Sequence, residues 1–146
     1  MDNLEHELMT IARELDKNGS IILLKRFYYK NGKKQAHKGF RLQEVVMIDT
    51  FHRHYLEFIA DIFPQEIKKV KDGFRLKYFS HKAIDFLEKV SPYLIKKKPQ
   101  ADLVLQFSKL KGSRGVRIDP EIAAQKMAIY KELLKEKERF KKEKLK

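Results

Sequence analysis

The sequence has no cysteine and no tryptophan, and only four prolines and six glycines in 146 residues. Without cysteine there can be no disulfide framework, no thiolate zinc site and no cysteine nucleophile, a pattern that suits an intracellular chain of the cytoplasm, nucleoid or an organelle matrix. No apolar run approaches the roughly 20 residues needed to cross a bilayer. The N-terminal stretch carries Asp2, Glu5, Glu7 and Glu14 in place of a basic segment followed by an apolar one. The expectation is a soluble protein with no secretory leader and no membrane partner. Nucleotide hydrolysis has no support either, because Gly112-Ser113-Arg114-Gly115 lacks the lysine and the glycine spacing that phosphate-cradling loops require. The five histidines show no ligand spacing, and His52 and His54, two apart on a predicted helix, point to different sides. No resident cofactor is expected.

What the sequence has in excess is positive charge: 33 Lys and Arg against 20 Asp and Glu, a net +13. A surplus of that size on so small a body favours an anionic partner. The 42% hydrophobic content is enough for one core. The organisation expected is a domain over 1–118 followed by a basic helical segment, 119–146, either part of the same unit or a projecting tail.

Leu4, Leu8, Ile11, Ala12 and Leu15 fall at helical spacing between Asp2 and Asp16, and Lys17-Asn18-Gly19 supplies residues that tolerate the left-handed end of a helix. Ser20 to Tyr29 and about Gln35 to Ile48 are extended and flank Lys30-Asn31-Gly32, a hairpin signal. A second helix spans Thr50, its expected N-cap, to Phe63 ahead of Pro64. A shorter hairpin, Glu66 to Lys71 and Phe74 to Ser80, turns at Asp72-Gly73. Helical patterns then run from Ala83 to Leu94, from Ala101 to Phe107, and onward from Asp119-Pro120-Glu121, which reads as a helix start. Beyond Lys135 the chain has only Phe140 and Leu145 to bury and is expected to project or fray. The fold class is α+β: αββαββα, an antiparallel sheet saddle with helices on one face, plus C-terminal helices.

Charge is segregated along this order. Residues 25–41 hold seven basic side chains and no acid, and 67–82 hold six against Asp72, whereas 1–24 and 42–66 are net acidic. If helices cover one sheet face, the basic hairpins present the other. A solvated, Lys-rich edge accounts for any single lysine. Segregation onto both hairpins fits a ribbon in the major groove of double-stranded DNA, where Arg, Lys and Gln read base edges and neighbouring Lys neutralise phosphates. The DNA-facing candidates are Arg26, Tyr28, Lys30, Lys33, Lys34, Lys38, Arg41 and Gln43 from the first hairpin, Lys69, Lys71, Arg75 and Lys77 from the second, and Lys97 and Lys98 beyond it. Phe27, Tyr28 and Tyr29 could also stack on unpaired bases, and the basic C-terminal helix could touch phosphate or anionic lipid, with a merely solubilising tail as the plain alternative.

Over about residues 4 to 111 the chain resembles the LAGLIDADG homing endonuclease family. The resemblance is carried by HKAIDFLEKVSPYLIKKKPQADLVLQF from His81 to Phe107, by GSIILLKR after the first helix and by YKNGKK in the hairpin. It implies the αββαββα fold, a DNA-binding saddle, signature helices packed at an interface, and acids at their ends holding divalent metal at the scissile phosphates. Single-copy members of this length work as homodimers. On this sequence the signature falls on IARELDKNG, Ile11 to Gly19, and it is eroded. Asn18 stands at the metal-binding position, leaving Asp16 as the candidate metal ligand. Arg13 replaces the small residue that lets the helices approach and puts the homodimer in doubt. Lys97 matches the family's basic residue near the phosphate.

The function expected is double-stranded DNA binding by a catalytically degenerate relative acting as a regulator or accessory factor. The alternatives are Mg-dependent, site-specific DNA cleavage through Asp16, and a maturase-like intron RNA-binding or protein-interaction module.

Overall fold

The computed structural model describes residues 3–110 and 120–144; the predicted loop at Gly112 to Gly115 and the helix cap at Asp119 lie outside them. Helix α1 (Asn3–Asn18) buries Leu8, Ile11, Ala12 and Leu15 of the stripe that its periodicity predicts, while Leu4, in the first turn, is exposed. The chain then runs through β1 (Gly19–Phe27), a small ribbon of β2 (Tyr29–Lys30) and β3 (Lys33–Lys34), and β4 (Phe40–Thr50). Helix α2 (Arg53–Ile62) leads into β5 (Lys68–Val70) and β6 (Gly73–Phe79), and α3 (His81–Val90), α4 (Lys98–Ser108) and α5 (Pro120–Lys144) follow.

The main sheet is antiparallel in the order β1-β4-β6-β5, so the second strand of each hairpin is central and the first forms an edge. Two glycine-dependent turns make this possible. Asn31 and Gly32, both at positive φ (52° and 77°), form the tight turn of the β2–β3 ribbon. At Gly73 (φ 142°) a Cβ would lie 2.6 Å from the Thr50 carbonyl oxygen, so only glycine lets β6 start against the end of β4.

One sheet face carries the core. Ile21, Val46, Ile48, Leu76 and Tyr78 project from it into α1, α2 and α3, joining Leu15, Leu56, Ile59, Phe86 and Leu87. Each such side chain contributes roughly 1.5–3 kcal/mol on burial. Tyr78 donates its hydroxyl to the Phe63 carbonyl at 2.6 Å, burial pushes its phenol pKa up, and its ring packs 4.9 Å from Phe86.

Three details differ from the sequence reading. Thr50 does not cap α2: pairing with Phe74 keeps it in β4, and its hydroxyl accepts a long bond from the His52 amide (3.3 Å) while α2 starts at Arg53. Tyr28 lies between β1 and β2, outside either strand. The C-terminal run stays helical to Lys144, because Ile129, Leu133 and Phe140 fall on one stripe; the first two are buried and the Phe140 ring lies 4.6 Å from the Lys97 ammonium.

Candidate nucleic-acid interface

Among the described residues the helices pack on one face of the sheet and leave the second face open, and strand register divides that face into rows. Arg26 sits opposite Arg41 at one end, followed by Leu24 with Gln43, then Ile22, Val45 and Phe79. Next come Ser20, Met47 and Lys77, and the far end holds Asp49, Arg75 and Lys68. The middle is apolar and the ends are charged. Val45 is fully buried although it faces away from the core, because its cross-strand neighbours Ile22 and Phe79 close over it.

Polar side chains on this face are held by one another. The Arg26 guanidinium donates to Gln43 Oε1 at 2.7 Å and lies 5.7 Å from the Phe79 ring; Lys77 approaches the same ring at 5.1 Å. Gln43 Nε2 in turn donates to Ser80 Oγ at 2.9 Å. Ser80 has φ 54° and ψ −127°, a conformation ordinarily left to glycine, and is pinned there by its amide's bond to the Glu44 carbonyl (2.9 Å). A strained residue thus fixes the glutamine that aims Arg26. At the opposite end Arg75 donates two bonds to Asp49, at 2.8 and 2.9 Å, and that pairing raises the arginine pKa.

The candidates predicted from sequence divide by position. Arg26, Arg41, Gln43, Arg75 and Lys77 share the open face. Lys30, Lys33 and Lys34 are exposed on the ribbon beyond it, with the Lys34 ammonium 3.7 Å above the Phe27 ring, and Tyr28 is exposed beside them. Lys71 is exposed in the β5–β6 turn, and Lys98 pairs with Asp102 at 3.1 Å on α4. The side chain of Lys38 lies outside the described residues. Lys69 does not join the open face: its register partner is Phe74, on the core side, and Lys68 takes the open position instead. Alternation along the second strand of the first hairpin puts Val45 on this face as well, and the structure places it there; sequence reading passed over Asp49 and Phe79. The two-residue alternation from Gln43 along β4 and from Arg75 along β6 already pointed to them.

The end of α1 is arranged differently. Asp16 accepts the Ile95 amide through Oδ2 (2.9 Å) and the Lys97 amide through Oδ1 (2.8 Å), so its carboxylate anchors the chain entering α4. The Lys97 ammonium donates to the Asp16 carbonyl at 2.6 Å and is only 6% exposed, beneath Phe140; it is a buried clamp and not a surface cation. Asn18 donates to Glu14 Oε1 at 2.6 Å. Both border a cleft of about 700 Å³ whose other acids are Asp49, held by Arg75, and Asp72. This donor set does not fit a Mg²⁺ site, which needs carboxylates free to converge on the ion. Among the described residues no three His, Asp or Glu side chains come together. Arg13 points to solvent in the exposed stripe Asn3, His6, Thr10, Arg13 and Lys17.

Helix, hairpin, helix, hairpin, helix, with the sheet face opposite the helices uncovered and basic, defines the αββαββα class. No family model and no curated protein matches the chain. Among solved structures it is similar to the homing endonuclease I-CvuI in complex with the I-CreI target in the presence of Mg, at 19% identity and TM-score 0.73 over 92% of this chain and 85% of that one. The archaeal intron-encoded homing endonuclease I-Vdi141I, complexed with DNA, matches at 20% identity and TM-score 0.69 over 92% and 86%. The homing endonuclease I-TnaI matches at 16% identity and TM-score 0.59 over 89% and 95%. The chain therefore has the LAGLIDADG homing endonuclease fold.

Proposed function

We propose that this protein binds double-stranded DNA through the open face of its sheet without cutting it, and serves as a regulator or accessory factor. The observation that carries the reading is the open face itself, where Arg26, Arg41, Lys77 and Lys68 flank an apolar centre and meet a single acid, Asp49. An antiparallel sheet of this width suits the major groove, with Arg and Gln placed to read base edges and the ribbon lysines Lys30, Lys33 and Lys34 reaching for phosphates. DNA-bound I-CvuI and I-Vdi141I, which share the fold, support the choice of ligand. The absence of cutting is supported by Asp16 and Asn18, the first committed to two amides and the second an amide itself. The exposed Arg13 stripe opposes close packing of two copies through α1, since it would set Arg13 and Lys17 against their own images.

Selection of bound duplexes from a random pool, followed by affinity measurements across salt, tests the reading. A recovered consensus and a steep loss of affinity with salt are expected. A flat salt response, or preference for structured RNA over duplex, would refute it. Incubation of the selected site with Mg²⁺ addresses cleavage: a double-strand break abolished by Asp16→Ala would replace binding with endonuclease activity.

A further inference from the structure

The two edges of the main sheet are built differently. β5 has three residues, two of them exposed lysines, the short and charged form that discourages further pairing. β1 has nine residues with the apolar run Ile21 to Leu24 at its centre, and among the described residues it pairs only with β4. The bond from the Ser80 amide to the Glu44 carbonyl identifies the outward backbone groups of β1. Glu44 turns its polar groups toward β6, so its neighbours Gln43 and Val45 turn theirs toward β1, where Leu24 and Ile22 lie opposite. Alternation then directs the N–H and C=O groups of Leu23 and Lys25 away from the sheet. Among the described residues no backbone group and no side chain bonds them.

Those groups face a groove of about 330 Å³ between residues 22–25 and one flank of α5. Tyr130, Leu133, Leu134 and Lys137 form its helix wall. Lys25 closes one end, its ammonium 4.6 Å from the Phe40 ring and 5.4 Å from the Tyr130 ring. Lys137, two helical turns beyond Tyr130 and so about 10 Å along the axis, stands at the other. Leu134, between them, is 46% exposed. A span of that length takes about three to four residues of extended chain. The groove is apolar along its middle and cationic at both ends, and no acid lines it.

We propose that the β1 edge is a docking site for an extended segment of a partner protein, apolar at its centre and acidic at both ends, which adds as a strand between β1 and α5. The inference is independent of the DNA-binding reading. Strand addition gives Leu23 and Lys25 their missing hydrogen-bond partners. Every second side chain of the segment then falls against Leu133 and Leu134, and the others lie beside Ile22 and Leu24 and prolong the apolar centre of the open face. Acids four positions apart are separated by about 13 Å, enough to meet Lys25 and Lys137 together. Charge selects this occupant over a second copy, whose edge would bring its own Lys25 and Arg26 to a groove that already holds two cations.

The probe is a capped peptide of glutamate, three valines and glutamate, titrated into the full chain with amide hydrogen exchange followed by NMR. Binding should slow exchange at Leu23 and Lys25 and leave Ile22 and Leu24, already bonded to β4, unaltered. Methylating the peptide's backbone nitrogens at alternate residues should weaken binding at least about 10-fold in one phase and spare it in the other, because only one set of amides meets β1. Exchanging both glutamates for lysine should cost about 10-fold. Leu134→Asp changes a half-exposed side chain, so the melting temperature should hold while peptide binding is lost. An absence of binding, or binding indifferent to both methylation phases and to Leu134→Asp, would overturn the site. Protection of Leu23 and Lys25 that grows with protein concentration in the absence of peptide would also overturn it, assigning the edge to a second copy.

Discussion

The end of α1 and the open face of the sheet carry polar groups of the same kinds, yet they hold them in opposite ways. At the helix end Asp16, Lys97 and Asn18 are all bonded within the chain, two of them to backbone groups far away in sequence. On the sheet Arg26 and Arg41 remain exposed, and the hydrogen bond to Gln43 orients Arg26 without neutralising it. A carboxylate bonded to amides serves folding; a guanidinium aimed by a neutral amide is available to a ligand. The sheet leaves its cations exposed, while the polar groups at the end of α1 are used up in holding the chain together.

The sharpest way to break that contrast is Asp16→Ala. If Asp16 is an anchor, its loss leaves the Ile95 and Lys97 amides without their acceptor and should cost about 3 kcal/mol in denaturant unfolding. A metal ligand with no structural role would instead leave stability unchanged or improve it. Second in size, Arg26→Ala with Arg41→Ala should weaken duplex binding at least about 10-fold and lower the salt slope by up to about 2, with the melting temperature barely altered.

Asp49→Asn should act in the opposite direction. Removing the one acid of the open face releases Arg75, so duplex affinity should rise a few-fold and the salt slope steepen by about 1 in the same titration. The stability cost should stay within about 1 kcal/mol, since the pair is 36% and 41% exposed. The smallest effect is expected at Ser80. Ser80→Gly relieves the positive φ whereas Ser80→Ala keeps it, and both remove the hydroxyl that holds Gln43; glycine should therefore be the more stable of the two by about 1 kcal/mol in thermal melts, with duplex affinity reduced in both.

Much of this was legible in the sequence because it depends on local periodicity. Helical spacing from Leu8 to Leu15 gave the buried face of α1, and alternation along β1, β4 and β6 separated Arg26, Arg41, Gln43, Arg75 and Lys77 from Phe40, Leu42, Leu76 and Tyr78. The sequence names Lys69 as a candidate without fixing its face, because β5 is only three residues long and the choice between Lys68 and Lys69 is made by pairing with β6. Lys97 could be located by its motif, but the motif says nothing of Phe140 arriving over it from α5. The bonds that absorb Asp16 are equally non-local. Alternation reveals faces; it cannot reveal what a distant segment brings to them.

The row of Ile22, Val45 and Phe79 has a consequence for sequence preference. A strip of hydrocarbon laid against base edges has nothing to offer a cytosine amino group or a guanine carbonyl, but it accommodates a thymine methyl. Sites recovered by selection should thus be enriched in thymine opposite this strip and in guanine where Arg26 and Arg41 reach. Replacing Ile22, the partly exposed aliphatic residue of this row, with threonine should relax the thymine preference while leaving the guanines in place.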